Sequence, residues 1–239
     1  MSIKNILFDL DGTLLPMDQD YFISTYLGAL AKKMICRGYD PKDFAATIMQ
    51  GIKVMIKNDG SVTNETAFWN MYTSVYGERS RDDEEFLRVF YETEFQQFRS
   101  ICGYEPRAKS LIDKIKASGL RLVLATNPLF PRIATESRIK WAGLDYNDFE
   151  LVTTYENIGY SKPYPEYYTE IAKRLNMDPA ECLMIGNDAR DDMSALLSGM
   201  NVFLLTDGLI NVKNVDISVY PNGNFDALVK HIDSIIEQR

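Results

Sequence analysis

Residues 8–13 read FDLDGT, and this stretch decides how the rest of the chain is interpreted. It follows the apolar residues Ile6 and Leu7, so the chain runs as a buried strand and then places two carboxylates, Asp9 and Asp11, at its end. Burying a charge is costly unless the charge has a partner. The stretch therefore predicts that other polar side chains converge on the carboxyl end of a first strand.

The segments around this strand alternate between strand and helix patterns. Runs of strand character, nearly continuous in apolar residues, lie at Asn5–Leu10, Leu120–Thr126, Cys182–Ile185, Asn201–Thr206 and, more weakly, Phe149–Thr153. Helical patterns lie at Pro106–Ser118, Pro131–Trp141, Pro165–Leu175 and Asp191–Ser198. Continuous apolar strands are typical of a parallel sheet covered on both faces. The alternation predicts a doubly wound, Rossmann-like α/β core.

The segment between the first two strands does not follow this alternation. From about residue 18 to about residue 99, apolar residues recur at helical spacing, as in Phe22, Tyr26 and Leu30. This pattern is typical of amphipathic helices. The expected domains are an inserted α-helical cap domain at 17–99 and a catalytic core formed by 1–16 and 100–239.

Composition narrows the range of partners. The chain has 239 residues, a formal net charge of −8 and no long basic run, so neither nucleic acid nor an anionic membrane is expected to bind. Its three cysteines form no CxxC pair, which is typical of a reducing compartment. No stretch approaches the roughly 18 uncharged apolar residues of a membrane span. We expect a cytoplasmic protein, with monomer and homodimer both left open.

Polar residues follow several of the predicted strands. In an open α/β sheet, ligands bind outside the carboxyl ends of the strands. The side chains expected at this edge are those of Asp9, Asp11, Thr126, Asn127 and Lys162 and the acidic residues of Gly186–Asp192. Carboxylates from Asp9 and from Asp188 or Asp192, together with a backbone carbonyl, suit Mg²⁺. The sequence therefore predicts a magnesium site at this edge.

The same residues suggest a division of chemical roles. Thr126, Asn127 and Lys162 offer hydroxyl, amide and ammonium donors for phosphoryl oxygens. Asp9 can act as a nucleophile that forms an aspartyl-phosphate, and Asp11 can protonate the leaving alcohol and then activate water. The expected reaction is hydrolysis of a small phosphorylated substrate with Mg²⁺ as cofactor.

Four motifs, in their order along the chain, resemble those of the haloacid dehalogenase-like superfamily of phosphohydrolases. They are DLDGT at 9–13, ATN at 125–127, SKPYP at 161–165 and IGNDARDD at 185–192. The resemblance covers essentially the whole chain, because the helical insert lies where this family has its helical cap. It implies that Asp9 is the nucleophile, that Asp11 is the general acid and base, and that Thr126 and Lys162 bind phosphate. It also implies that Mg²⁺ is held by the carbonyl of Asp11 and by the acidic group after the fourth strand.

One position departs from the family pattern. The family commonly has Gly-Asp at this strand end, whereas here Gly186 is followed by Asn187 and then Asp188. We take Asp188 as the leading metal ligand and Asp192 as the second, because Asp192 precedes an apolar residue as in similar motifs. Asp191 remains a competitor, and Asp188 could instead cap the helix that follows.

Other interpretations stay open at this point. A haloacid dehalogenase shares the nucleophile but needs neither Mg²⁺ nor a carboxylate at position 11, so Asp11 speaks against it. A phosphomutase would keep all four motifs and transfer the phosphoryl group to a second sugar. A non-catalytic binding module would have kept the fold without the chemistry. The substrate cannot be read from the sequence, although Asp18, Gln19 and Asp20 are candidates for contacting it.

Two features late in the chain are expected to carry no chemistry. The single histidine, His231, is predicted to be structural or at the surface, which disfavours a histidine-based hydrolase. The pair Asn222-Gly223 is predicted to form a turn.

Overall fold

A parallel sheet forms the centre of the molecule. The structure, a computed structural model, describes residues 2–238, so residues 1 and 239 of the predicted core domain lie outside it. The strands are β1 (Asn5–Phe8), β2 (Arg121–Leu124), β3 (Leu151–Val152), β4 (Cys182–Gly186), β5 (Asn201–Leu205) and β6 (Asn222–Gly223). Their spatial order is β3-β2-β1-β4-β5-β6, and every neighbouring pair is parallel.

Helices cover both faces of this sheet. The α-helices of the described residues are α1 (Gln19–Met34), α2 (Pro41–Ile56), α3 (Asn64–Tyr76), α4 (Asp83–Glu92), α5 (Arg107–Ala117), α6 (Arg132–Trp141), α7 (Pro165–Arg174) and α8 (Phe225–Glu237). In β1, Ile6 and Phe8 pack into the buried cluster that contains residues of α5, α6 and α8, and Leu7 packs into the cluster that contains residues of α7. Every residue of β1 is buried. The predicted doubly wound α/β core is therefore confirmed.

Two predicted elements differ from the structure. Asn222-Gly223, predicted to be a turn, forms the edge strand β6, because backbone hydrogen bonds join Leu204 to Pro221 and Thr206 to Gly223. The predicted helix at Asp191–Ser198 is a 3₁₀ helix over Met193–Ser198. It ends before Gly199, whose φ of 83° lies in the left-handed region that glycine tolerates.

His231 is half-buried and stacks on Phe203 with ring centroids 5.1 Å apart, as expected for a structural residue.

A set of helices is inserted between the first two strands. Helices α1 to α4 and a 3₁₀ helix at Glu94–Ile101 all lie between β1 and β2. Their apolar faces pack around buried aromatic rings such as Phe22, Tyr26 and Phe95. The chain enters and leaves the insert side by side, since the backbone N–H of Gly103 donates to the carbonyl of Pro16 over 2.7 Å.

A second set of contacts ties the far end of the insert to the core. At the start of α3, the backbone N–H groups of Asn64 and Glu65 donate to the carbonyls of Ile158 and Tyr155 over 2.9 and 2.8 Å. The insert therefore rests on the loop that follows β3 as well as on its own connections. Among residues 2–238, no helix combines the length and the apolar character needed to cross a membrane.

Candidate active site

The predicted site residues converge at the carboxyl edge of the sheet. Asp9 directly follows β1, Thr126 follows β2 by two residues, and Asp192 lies in the loop after β4. Lys162 precedes α7 and reaches the same place. The residues Asp9, Lys162 and Asp192 are almost fully buried, with relative exposures of 7, 2 and 1%. The parallel topology brings together residues that are up to 183 positions apart in the chain, as between Asp9 and Asp192.

Lys162 is held between two carboxylates. Its Nζ donates to Oδ1 of Asp9 over 2.8 Å and to Oδ1 of Asp192 over 2.6 Å. Burial, together with the nearby charges of Asp192 and Asp11, raises the pKa of Asp9 to about 7, although Lys162 opposes the rise. Burial works against the charge of Lys162, but Asp192 and Asp9 raise its pKa well above the ordinary value. The group thus holds more negative charge than its lysine compensates.

The turn that follows Asp9 also contacts its side chain. The hydroxyl of Thr13 lies 3.3 Å from Oδ2 of Asp9 and 3.0 Å from Oδ1 of Asn187. Gly12 has a φ of +84°, and a Cβ at this position would lie 2.4 Å from Nδ2 of Asn187. Only glycine therefore fits the turn directly after Asp11 without displacing Asn187.

Thr126 and Asn127 lie where the sequence placed them. Thr126 is buried, and its carbonyl accepts hydrogen bonds from the hydroxyls of Thr153 and Tyr167 over 2.6 and 2.9 Å. Oδ1 of Asn127 accepts from the backbone N–H of Lys162 over 3.3 Å. These contacts join the loop after β2 to the loop that carries Lys162, whose side chain contacts Asp9.

The three candidate metal ligands of the loop after β4, Asp188, Asp191 and Asp192, make different contacts. Oδ1 of Asp188 accepts from the backbone N–H groups of Arg190 and Asp191 over 2.7 and 2.9 Å, so it stabilises its own turn. Oδ2 of Asp192 accepts from the backbone N–H of Asp188 over 2.9 Å, while its Oδ1 meets Lys162. Asp191 is only partly buried, and burial together with Asp188 and Asp192 raises its pKa to about 6. The geometry places Asp192, rather than Asp188, beside Asp9 and Lys162.

Sequence reasoning did not identify Arg138 as part of the site. This arginine of α6 is 1% exposed and forms an ion pair through Nη1 with Oδ2 of Asp11. The available signal was its position at helical spacing with the buried residues Ala134 and Trp141, where an apolar residue would be ordinary. Its partner is 127 residues away in the chain, so no local pattern could have named the pair.

Of the three suggested substrate contacts, only Gln19 forms a hydrogen bond to the loop after β1. Its Nε2 donates to the carbonyl of Asp11 over 2.5 Å. Asp18 instead caps α1 by accepting from the backbone N–H of Tyr21 over 3.0 Å. Asp20 is an exposed residue of the first turn of α1.

The donor set at this edge is suited to a magnesium ion. Asp9 and Asp192 supply carboxylates in excess of the positive charge between them, and Asp11 supplies a backbone carbonyl. Mg²⁺ takes few protein oxygens and keeps several waters. Within residues 2–238, no three acidic, histidine or cysteine side chains already form a metal cage. The chain's residues therefore suit a cation that completes its shell with water and substrate.

A cavity of about 830 Å³ lies between the insert and the core. Its walls are largely aromatic and aliphatic, and include Tyr26, Phe68 and Trp69 from the insert and Phe130 and Tyr155 from the core. The ring of Phe130 also contacts the guanidinium of Arg138, 4.3 Å from the ring centroid. One wall of the cavity is therefore adjacent to the Arg138–Asp11 pair.

Known proteins share this chain's sequence pattern and fold. The bifunctional riboflavin kinase/FMN phosphatase of Arabidopsis thaliana is 26% identical over 211 residues, which are 82% of this chain and 47% of that protein. The chain thus spans about half the length of this relative. Pyrophosphatase PpaX of Bacillus cereus (strain ATCC 10987) is 26% identical over 192 residues, 80% of this chain and 77% of the relative.

The solved structures include a HAD-hydrolase, YfnB from Bacillus subtilis, that is described as bound to magnesium. It is 18% identical, with a TM-score of 0.58 over 98% of this chain and all of the other, and supports the fold assignment. A profile of haloacid dehalogenase-like hydrolases matches residues 3–199, which include all four motifs. The match confirms the predicted family and the predicted enzyme class, a hydrolase, and the phosphatase names of the relatives agree with it. The chain belongs to the haloacid dehalogenase-like hydrolase family.

Proposed function

We propose that this protein is a Mg²⁺-dependent phosphomonoester hydrolase that acts on a small phosphorylated metabolite through an aspartyl-phosphate. The observation that carries the proposal is the buried group of Asp9, Lys162 and Asp192, next to the donors of Thr126 and Asn127. A nucleophilic carboxylate beside an ammonium group and hydrogen-bond donors fits a phosphoryl group in transfer. The relatives named as FMN phosphatase and pyrophosphatase support phosphate ester or anhydride substrates.

Two steps account for the reaction. Oδ of Asp9 attacks phosphorus, the bond from phosphorus to the leaving oxygen breaks, and Asp11 gives that oxygen a proton. Asp11, now a carboxylate, takes a proton from water as the water attacks the aspartyl-phosphate. Phosphate is released and Asp9 is regenerated.

The remaining residues bind and orient the phosphoryl group. Thr126, Asn127 and Lys162 donate to its non-bridging oxygens, and Lys162 also keeps Asp9 in place. Asp9, Asp192 and the carbonyl of Asp11 would hold Mg²⁺, with Asp188 as the alternative acidic ligand. The ion would supply positive charge to the phosphoryl oxygens as they gain negative charge.

Phosphate release tests the proposal. The substrates are sugar phosphates, nucleotides including FMN, phosphoglycolate, pyrophosphate and a chromogenic aryl phosphate, each with Mg²⁺ and with a chelator. We expect release that needs Mg²⁺, is lost in Asp9→Asn and persists in Asp113→Asn, a control in which an exposed aspartate of α5 is changed. Transfer of the phosphoryl group to a second sugar would indicate a mutase instead. Mg²⁺ binding without any release would indicate a binding module.

A further inference from the structure

We propose that Arg138 is a positioning residue that holds Asp11 with one carboxylate oxygen free to face the leaving group. The inference rests on the proposed function, because it assigns a task to the side chain that orients the general acid. It names a residue of α6 that lies outside the four sequence motifs.

The guanidinium of Arg138 is fixed on several sides. Nε lies 3.4 Å from the carbonyl of Ala134, and Nη2 donates to Oγ1 of Thr135 over 3.3 Å. The ring of Phe130 packs against its face at 4.3 Å. Nη1 is directed to Oδ2 of Asp11. A guanidinium held in this way has one orientation to offer its carboxylate partner.

The pair is formed through one oxygen of Asp11 only. Arginine commonly grips a carboxylate through both oxygens, but here Oδ1 of Asp11 is buried and has no hydrogen-bond partner among the described residues. A buried acceptor without a partner is rare and costs free energy. Its retention is explained if Oδ1 receives a partner during the reaction, namely the leaving-group oxygen and later the attacking water.

A purely structural role explains this arrangement less well. Arg138 is almost fully buried, and an apolar side chain at its position on α6 would avoid the desolvation of a charge. Gln19 already anchors the Asp11 backbone through its carbonyl. What remains for Arg138 is the rotation of the Asp11 side chain, which decides where its proton is delivered.

The test compares esters that differ in their need for that proton. An alkyl phosphate needs protonation of its leaving oxygen, whereas p-nitrophenyl phosphate releases a stable phenolate. For Arg138→Met we expect kcat/KM for the alkyl ester to fall by about 100-fold, as for loss of general-acid catalysis. The kcat/KM for the aryl ester should change by less than about threefold, because that step needs little acid catalysis. Arg138→Lys, which keeps the charge, should recover part of the loss for the alkyl ester.

Controls separate positioning from folding and from the proposed function. Lys140→Met removes an exposed charge from the same helix, outside the lining of the cavity, and should leave both esters unaffected. Equal losses for the two esters in Arg138→Met and Arg138→Lys would overturn the positioning role and leave the phosphatase function standing, as would no loss in either variant. A wild type that hydrolyses neither ester would refute the proposed function and the positioning role together. If Arg138→Met does not fold, the ratio of the two kcat/KM values in Arg138→Lys decides.

Discussion

Asp9 contacts Lys162, and its burial together with the nearby charges of Asp192 and Asp11 raises its pKa to about 7. The folded chain therefore stabilises the ionised form of Asp9 less well than water does. A nucleophilic carboxylate must nevertheless be ionised to attack phosphorus. A bound divalent cation and the ammonium of Lys162 would together favour the reactive form.

This raised pKa gives a stability prediction for Asp9→Asn in the absence of metal. Protonated Asp9 contributes favourably to the free energy of folding. This contribution is complete at pH values below the ordinary pKa of 3.8 and is lost as the pH rises through about 7. At pH 8 the wild type keeps a buried charge that asparagine lacks, so we expect Asp9→Asn to raise the free energy of unfolding by about 1 kcal/mol. The gain should shrink at pH 5. Denaturant unfolding at both pH values measures it, and an equal loss of stability at both would contradict the account.

Magnesium affinity distinguishes the acidic residues of the loop after β4. Because Asp192 contacts Lys162 beside Asp9, we expect Asp192→Asn to weaken Mg²⁺ binding by at least about tenfold, roughly 1.4 kcal/mol. Asp188→Asn is the matched control, since asparagine can still accept the two backbone hydrogen bonds of the turn. Calorimetric titration of Mg²⁺ gives both affinities. A larger loss in Asp188→Asn would restore the order expected from the sequence.

The sequence predicted some site residues better than others, for identifiable reasons. Asp9, Thr126 and Lys162 each lie in a short motif next to a strand or helix, so the parallel topology alone brings them to one edge. Arg138 could not be recognised in this way, because its role depends on a single contact across the fold. Asp188 and Asp192 lie in the same loop, so the motif spacing alone cannot show which of the two faces Lys162. The direction of each side chain in the structure distinguishes them.

Among the elements, the start of α3 connects the insert to the core through hydrogen bonds of a buried side chain. Asn64 is fully buried, and its Nδ2 donates to the carbonyl of Pro128 over 3.1 Å and to Oγ of Ser161 over 3.0 Å. Its Oδ1 accepts from Asn58 over 2.9 Å. Ser161 directly precedes Lys162, so the Asn64 side chain links the insert to the loop that carries Lys162.

Truncation of this side chain should affect both stability and activity. Asn64→Ala leaves buried polar groups without partners, and we expect a loss of about 2 kcal/mol in the free energy of unfolding. We expect kcat to fall as well, because the loop at 161–162 loses its support. Asn70→Ala, at an exposed position of the same helix, is the control and should cost less than about 0.5 kcal/mol. Thermal and denaturant unfolding with parallel phosphatase assays provide the test, and equal behaviour of the two variants would exclude the connecting role.

The pattern of apolar residues predicted some of the strands and helices correctly and others not. β1, β4 and β5 were readable because strands covered on both faces are continuous in apolar residues. β6 has only two residues, Asn222 and Gly223, and both favour turns, so its pairing with β5 is decided by backbone hydrogen bonds alone. The 3₁₀ helix at Met193–Ser198 differs from an α-helix in hydrogen bonding that apolar spacing does not encode.

The insert and the core both contribute residues near the carboxyl edge of the sheet. The net charge of −8 does not favour an anionic substrate, yet Lys162 and Arg138 are positive and buried where the phosphoryl group is expected. The insert contacts this edge through Gln19 and Asn64 and shares the large cavity with the core. We expect movement of the insert to admit substrate and then to exclude water from the reacting group.

Chemical trapping of the intermediate tests whether Asp9 becomes covalently phosphorylated during the reaction. The protein is mixed with Mg²⁺ and the best substrate of the panel, quenched within one turnover, and treated with borohydride, which reduces an aspartyl-phosphate to homoserine. We predict that peptide mass spectrometry finds homoserine at position 9, and none in Asp9→Asn. Phosphate release by the wild type with an unmodified Asp9 at every quench time, or with the label at another residue, would contradict the account.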